Sequence, residues 1–207
     1  MRALIADDHE IIRRGLKQIL TDDLGINRID EADSGEQVLP LIRNNSYNVV
    51  ILDISMPGKS GIDVLREIKF EFPDLPVLVL SIHPEDQYAL RVMKNGASGY
   101  LNKASAPEEL VTAIRKITSG SKYITSAIAD RLLQEGVENN ENLHDKLSNR
   151  EYQVMLHIAS GKTVTEIAEV LNLSVKTVST YRTRILEKLH LENNARIIHY
   201  ALSRNLI

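Results

Sequence analysis

The chain has 207 residues, 43% of them hydrophobic and 26% charged, with a formal net charge of −3 and no cysteine. That is globular composition, and at about 100–200 residues per domain the length suits one large domain or two small ones. Without cysteine there is no disulfide framework, thiolate metal site or thiol nucleophile, and the longest unbroken apolar runs, residues 49–52 and 77–80 among them, fall far short of the roughly 20 residues of a membrane helix.

Residues 3–6 form the first predicted strand, followed by Ile11, Ile12, Leu16, Ile19 and Leu20 at helical spacing. The acidic pair Asp7-Asp8 breaks any signal-peptide core, so a cytoplasmic protein with no membrane attachment is expected. A weaker strand around Ile29 leads into segment 34–43, where Pro40 removes a backbone donor and predicts a late start or a kink. Residues 49–52 form a continuous apolar strand, with Ile62, Leu65 and Ile68 on the helix after it. Residues 77–80 form the next, before a helix through Leu90, Val92 and Met93. Tyr100 and Leu101 close a further strand, before Leu110, Val111, Ile114 and Ile117. Strands that are apolar throughout need helices on both faces. Five such repeats in about 120 residues predict an α/β, doubly wound sheet of five parallel strands, with function at the C-terminal strand ends.

Residues 121–145 read as a linker with one helix, built on Ile128, Ala129, Leu132 and Leu133 and followed by the polar stretch 136–142. Residues 146–207 are helical by pattern, over 149–160, 164–171, 175–189 and 194–203. Ser148 with Glu151 and Thr163 with Glu166 have capping-box spacing, and Ser174 is a natural N-cap. The short link 172–174 makes a helix-turn-helix unit. Charge divides with the domains. Residues 1–120 carry 14 Lys and Arg against 18 Asp and Glu, whereas residues 143–207 carry 9 against 6. The two halves are expected to meet different partners.

Asp7 and Asp8 follow the first strand, Asp53 ends the 49–52 run, Ser81 follows the 77–80 run and Lys103 follows the last strand. In a parallel sheet these ends share one edge. Three carboxylates there favour a hard divalent cation such as Mg²⁺, Lys103 suits a phosphoryl oxygen, and Ser81 can donate a hydrogen bond. The set suits phosphoryl transfer with the Asp53 carboxylate as nucleophile. No Walker loop is present, so the donor is another molecule. Taken singly, Asp7-Asp8 is equally well a helix N-terminus, Lys103 a solvated surface residue and Tyr100 a core residue; the joint placement carries the reading. His9 and His83 flank the pocket without a metal-ligand spacing and read as incidental.

The set Asp7-Asp8, Asp53-Ile-Ser-Met-Pro57-Gly58, Ser81, Tyr100 and Lys103 closely resembles the receiver domain of two-component response regulators, over residues 1–120. The resemblance implies a flavodoxin-like fold and phosphorylation of Asp53 from a phosphohistidine on a sensor histidine kinase. It implies Mg²⁺ held by Asp7, Asp8, Asp53 and the backbone carbonyl of Ser55, phosphoryl contacts from Ser81 and Lys103, and a switch pair of Ser81 and Tyr100. It implies no enzymatic chemistry beyond self-phosphorylation and self-dephosphorylation at Asp53. Ala104 stands where many receivers have a proline with a cis bond. A cis bond before alanine costs about 2.5–4 kcal/mol, so trans is expected.

On the helix 175–189, Val175, Val178, Tyr181, Ile185, Leu186 and Leu189 share an apolar arc. Lys176, Ser179, Thr180, Thr183 and Arg184 lie opposite. Such a face can reach base edges and phosphates in a major groove, although alone it is more often a solvated surface. Arg182 falls inside the apolar arc, where it either snorkels to a phosphate or pairs with a carboxylate. Residues 146–207 resemble the LuxR-type helix-turn-helix through Leu147-Ser-Asn-Arg-Glu, Ala159-Ser-Gly-Lys-Thr and Leu173-Ser-Val-Lys-Thr-Val. Tyr181 stands where that family often has His, and Thr163-Val164 where Ser-Asn is common. The whole chain resembles the NarL/FixJ subgroup of response regulators. The resemblance implies a transcription regulator that binds double-stranded promoter DNA as a homodimer, with RNA polymerase as a further partner. The DNA contacts would be Lys176, Ser179, Thr180, Arg182, Thr183, Arg184 and Lys188. Ile197, Ile198 and Ala201 would form a dimer contact or simply cover the core. Two other classes stay open. One is a Mg²⁺-dependent phosphatase acting on small molecules, for which no substrate pocket is legible. The other is a module whose tail binds RNA or protein, which would show little of the salt dependence of duplex binding.

Overall fold

The computed structural model describes residues 1–207 except 57, 83–84, 126–127, 130–142 and 205, and only the backbone of 85–87 and 145. The chain divides into two compact units, residues 1–134 and 135–207. In the first, β1 (Arg2–Ala6), β2 (Arg28–Ala32), β3 (Val49–Asp53), β4 (Val77–Ser81) and β5 (Gly99–Asn102) form one parallel sheet in the order β2-β1-β3-β4-β5. The helices that alternate with them are α1 (Glu10–Leu24), α2 (Gly35–Asn44), α3 (Gly61–Glu71), α4 (Glu85–Lys94) and α5 (Ala106–Thr118).

β3 and β4 are buried at every residue, which accounts for their unbroken apolar runs. Ala3, Ile5, Val49, Ile51, Leu78 and Leu80 share a core with Leu16 and Leu20 of α1 and Leu110, Ala113 and Ile114 of α5. Each large aliphatic buried there contributes about 1.5–3 kcal/mol. The alternate residues Leu4, Val50, Leu52 and Val79 are also buried and take the opposite face by the two-residue period of a strand. β2 is an edge strand with only Ala32 buried, so its apolar pattern is weak. β1 pairs Ala6 with Leu52 of β3, and Asp7 and Asp53 therefore emerge side by side. At this pair the chain turns outward in both directions, to β2 and to β4. Such a reversal of strand order is where ligands settle in open α/β sheets.

Two backbone expectations meet different outcomes. α2 begins at Gly35 and runs unbroken through Pro40 to Asn44, so the late start does not occur. Pro40 is the sixth helical residue, and its missing donor would have reached Glu36 in the first turn; a single helical bond is forfeited. The Lys103–Ala104 bond is trans, as are all peptide bonds among the described residues.

In the second unit a 3₁₀ turn (Leu143–Lys146) precedes α6 (Asn149–Ala159), α7 (Val164–Val170), α8 (Val175–Lys188) and α9 (Asn194–Ser203). Both predicted capping boxes form. Ser174 Oγ accepts the Thr177 amide at 3.0 Å. Asn172 sits at φ 51° between α7 and α8, a left-handed conformation that asparagine tolerates better than most residues; this makes the turn tight. α6 packs against α7, α8 and α9. Tyr152, Met155, Ile158, Ile167, Val178, Ile185 and Ile197 are buried in this unit. Leu132, Leu133 and the stretch 136–142 of the predicted linker lie outside the described residues, as do Pro57 and His83. No described helix is long and apolar enough to cross a membrane.

Candidate functional site

The strand ends deliver the predicted residues to one place. Asp7 and Asp8 follow β1, Asp53 ends β3, Ser81 ends β4 and Lys103 follows β5. Lys103 Nζ lies 2.7 Å from Asp53 Oδ2 and 2.7 Å from Asp7 Oδ2. The Ser55 amide donates to Asp53 Oδ1 at 2.9 Å, so each Asp53 oxygen has a donor and the plane of the carboxylate is held. The Lys103 amide donates to the Ser81 carbonyl at 2.7 Å, which ties the ends of β4 and β5. Asp7, Asp53, Ser81 and Tyr100 are buried, whereas the Asp8 side chain is partly exposed.

Burial pushes the Asp53 carboxyl above its ordinary value; Lys103 opposes the shift and Asp7 adds to it. Burial also works against the Lys103 charge, but Asp53 and Asp7 outweigh it and hold the ammonium above its ordinary value. A carboxyl with a raised folded-state pKa destabilises the fold where it is ionised, and the cost vanishes as falling pH protonates it in both states. In metal-free buffer Asp53→Asn is therefore expected to melt above the wild type near pH 7. The gap should close as pH falls toward the ordinary carboxylate range. Circular-dichroism melts across that range check this, and a variant less stable at neutral pH overturns it.

One ligand atom from each of Asp7, Asp8, His9 and Asp53 lies within 4.8 Å of the others. Three carboxylates against one lysine leave two negative charges in excess, which suits a divalent cation taking oxygen ligands. His9, read from sequence as incidental, is thus part of the cluster; its adjacency to Asp8 was the available signal. Gly61 was also missed. A Cβ on Gly61 would lie 2.1 Å from the Asp53 carbonyl oxygen and 2.6 Å from Ile54 Cα, so α3 reaches the end of β3 only because this residue has no side chain. A glycine shortly after the Met-Pro-Gly tripeptide, just before Ile62, Leu65 and Ile68 at helical spacing, was the sequence cue.

On α8, Lys176, Ser179, Thr180, Thr183 and Arg184 are exposed, as the helical wheel predicts. Val178, Ile185 and Leu189 are buried, but Val175 is 48% exposed. It is the first residue of the helix, beyond the reach of the core. Arg182 Nε donates to Asn194 Oδ1 at 2.6 Å, fastening α8 to the start of α9, and no ion pair to a carboxylate forms from it among the described residues. Lys188 Nζ donates to Glu151 Oε2 at 2.6 Å. The same Glu151 oxygen accepts the Ser148 amide of the capping box. Both cations thus orient α8 within its own unit. Ile197 and Ala201 are wholly buried and Ile198 half-buried. Ile197 and Ala201 cover the core of their own unit, where α9 packs on α6. Leu202 of α9 is 56% exposed.

Residues 3–115 match the family described as response regulator receiver domain, and residues 145–201 match that described as bacterial regulatory proteins, luxR family. The chain is 40% identical to the response regulator UvrY of Escherichia coli strain K12, over 100% of this chain and 95% of that protein. It is 36% identical to the response regulator GacA of Pseudomonas aeruginosa, over 100% of this chain and 98% of that one. Among solved structures it is similar to RcsB from Salmonella enterica serovar Typhimurium bound to promoter rprA in the presence of phosphomimetic BeF3⁻, with 28% identity, 97% of each chain covered and a TM-score of 0.64. A structure of two RcsB dimers bound to two parallel DNAs is similar at 29% identity and a TM-score of 0.60, with 98% of each chain covered. With both of its units matched and its relatives aligned end to end, the chain belongs to the NarL/FixJ subgroup of response regulators, a receiver domain joined to a LuxR-type DNA-binding domain.

Proposed function

We propose that Asp53 accepts a phosphoryl group from a phosphohistidine on a sensor histidine kinase, and that this event controls promoter binding through α8. The observation that carries the reading is the buried carboxylate of Asp53 at the strand-order reversal, with Lys103 on one oxygen and the Ser55 amide on the other. In the transfer, an Asp53 oxygen bonds to phosphorus as the phosphorus–nitrogen bond breaks and the imidazole leaves. Lys103 is placed beside the oxygens on which charge gathers. Asp7, Asp8, Asp53 and the Ser55 carbonyl would hold Mg²⁺, which when bound offsets negative charge on the phosphoryl oxygens. The chain's own chemistry is then self-phosphorylation and hydrolysis of the acyl phosphate, with no external substrate turned over.

By analogy with other phosphorylated residues the product carries about −1.5 to −2 charges. We assign its readout to Ser81 and Tyr100, both buried beside the pocket's strands. Residues 1–120 act as the phosphoacceptor domain, 121–145 as the linker and 146–207 as the DNA-binding domain, in the cytoplasm. The DNA-facing set is Lys176, Ser179, Thr180, Thr183 and Arg184, on a helix of 14 residues, about 21 Å long. RcsB bound to promoter DNA and as dimers on DNA supports a homodimer on half-sites about one helical turn apart, acting on RNA polymerase.

Capture of genomic fragments with and without acetyl phosphate tests the reading, which predicts enrichment of particular promoters after phosphorylation. On a captured duplex, log affinity is expected to fall steeply with log salt. Lys176→Ala and Arg184→Ala should each weaken binding and lower that slope by about 1.8 per bound dimer, one phosphate contact being lost in each protomer. Affinity independent of salt would point to a protein partner instead.

A further inference from the structure

β5 ends the strand order of the sheet, so its outer edge carries backbone groups that need a cover. The chain itself returns to supply one. Gly120, at φ 89°, follows α5 in a left-handed turn, and the Ser121 amide donates back to the Lys116 carbonyl at 3.1 Å; this is the glycine cap that reverses a chain. Two residues on, Tyr123 lies parallel to β5 opposite Gly99. The Tyr123 amide donates to the Ser98 carbonyl at 2.9 Å, and the Tyr100 amide donates to the Tyr123 carbonyl at 3.4 Å. Gly99 admits this approach: a Cβ there would lie 3.0 Å from both Tyr123 Cβ and the Tyr123 carbonyl oxygen. Side chains fasten the segment further. Tyr123 Oη donates to Glu109 Oε2 of α5, and Lys122 Nζ donates to the Ala97 carbonyl. The Lys116 ammonium sits 5.9 Å over the Tyr123 ring, within cation–π range.

An edge cover could fall anywhere along β5, but one of its two hydrogen bonds falls on Tyr100. On its other side Tyr100 pairs with Val79 of β4, two residues before Ser81. Tyr100 thus stands between the strand that ends at the pocket and residue 123. We infer that Tyr123 is a positioning residue, a clasp through which a displacement of Ser81 and Tyr100 reaches the chain that leads on to the DNA-binding unit. The inference rests on the reading of Asp53 as phosphoacceptor with Ser81 and Tyr100 as its readout, and it names the element that carries the signal onward. A shift of the β5 backbone at Tyr100 either takes residue 123 with it or breaks the hydrogen bond, and both outcomes re-aim the segment that follows.

Gly99→Ala and Tyr123→Ala in the full-length chain test this, through phosphoryl uptake from acetyl phosphate and Mg²⁺ and through affinity for a captured promoter before and after that treatment. Each variant should gain one phosphoryl unit, as the wild type does. The ratio of phosphorylated to unphosphorylated affinity is expected to fall about 2- to 30-fold, the effect of residues that carry coupling between two sites. Tyr123→Phe keeps the ring and both backbone hydrogen bonds and should retain most of the wild-type ratio. Hydrogen exchange at the residue-123 amide should quicken in Gly99→Ala while β1 and β3 stay protected, which separates an opened clasp from unfolding. A wild-type ratio in both Gly99→Ala and Tyr123→Ala, lost uptake in both, or unchanged exchange at residue 123 in Gly99→Ala overturns the clasp and leaves the phosphoacceptor reading standing. Wild-type affinity that does not rise after phosphorylation defeats that reading, and the clasp with it.

Discussion

Asp53→Asn is expected to take up no phosphoryl group from acetyl phosphate and Mg²⁺, whereas the wild type gains one acid-stable, base-labile phosphoryl unit at residue 53. The amide keeps the shape of the side chain and nearly all of its packing, so the loss isolates the nucleophile. Its oxygen can still accept a hydrogen bond from Lys103 or from the Ser55 amide, but the negative charge that attacks phosphorus is gone. The second consequence is in DNA binding. Wild-type affinity for a captured promoter should rise after phosphorylation, and the variant's should stay at the unphosphorylated level under the same treatment. Intact-protein mass spectrometry and fluorescence anisotropy read the two arms. A phosphoryl unit mapped to another residue, or an equal rise in both proteins, defeats the assignment of Asp53. A melting curve of the variant in the assay buffer, with Mg²⁺ present, separates loss of the nucleophile from unfolding.

Gly61→Ala is expected to damage both the fold and the pocket. The added Cβ would sit 2.1 Å from the Asp53 carbonyl oxygen and 2.9 Å from its carbonyl carbon, which are backbone atoms that cannot rotate away. Either α3 retreats from the end of β3 or β3 shifts, and Asp53 moves with it. Overpacking of this kind costs about 1–3 kcal/mol, and sometimes more; the phosphorylation rate should fall as well, since the nucleophile rides on the displaced segment. Gly15→Ala is the matched control. Gly15 lies inside α1, and a Cβ there meets nothing within 4 Å. That substitution is expected to stabilise by about 0.5–1 kcal/mol. Urea unfolding of the two variants, with phosphorylation rates alongside, separates a steric effect at Gly61 from a general effect of replacing glycine. Equal stabilities for both would mean that α3 has slack at its start.

Much of the site was legible because its residues sit at strand ends, and strand ends announce themselves as apolar runs that stop. Residues 49–52 end at Asp53 and residues 77–80 at Ser81, and the parallel sheet carries both to one edge. The capping boxes at Ser148 and Thr163 were legible for a similar reason, since both partners of each lie within one turn of helix. The edge strand β2 was faint because most of its residues are not buried and impose no pattern.

Arg182 shows where local reading stops. Its position on the helical wheel placed it in the apolar arc, but no periodicity could name Asn194 as its partner, twelve residues on and in another helix. Lys188 and Glu151 are likewise separated by 37 residues. The periods of 2 and 3.6 residues report which side of an element meets the core, so the succession of strands and helices in the first unit and the helical tail were written in neighbouring residues. Which of the cations are committed to bonds inside the protein, that His9 joins the carboxylates, and that Gly61 must lack a side chain were settled only when distant segments came within a few ångströms of each other. Those outcomes depend on distances across the fold, and a linear pattern carries no distance beyond the element it belongs to.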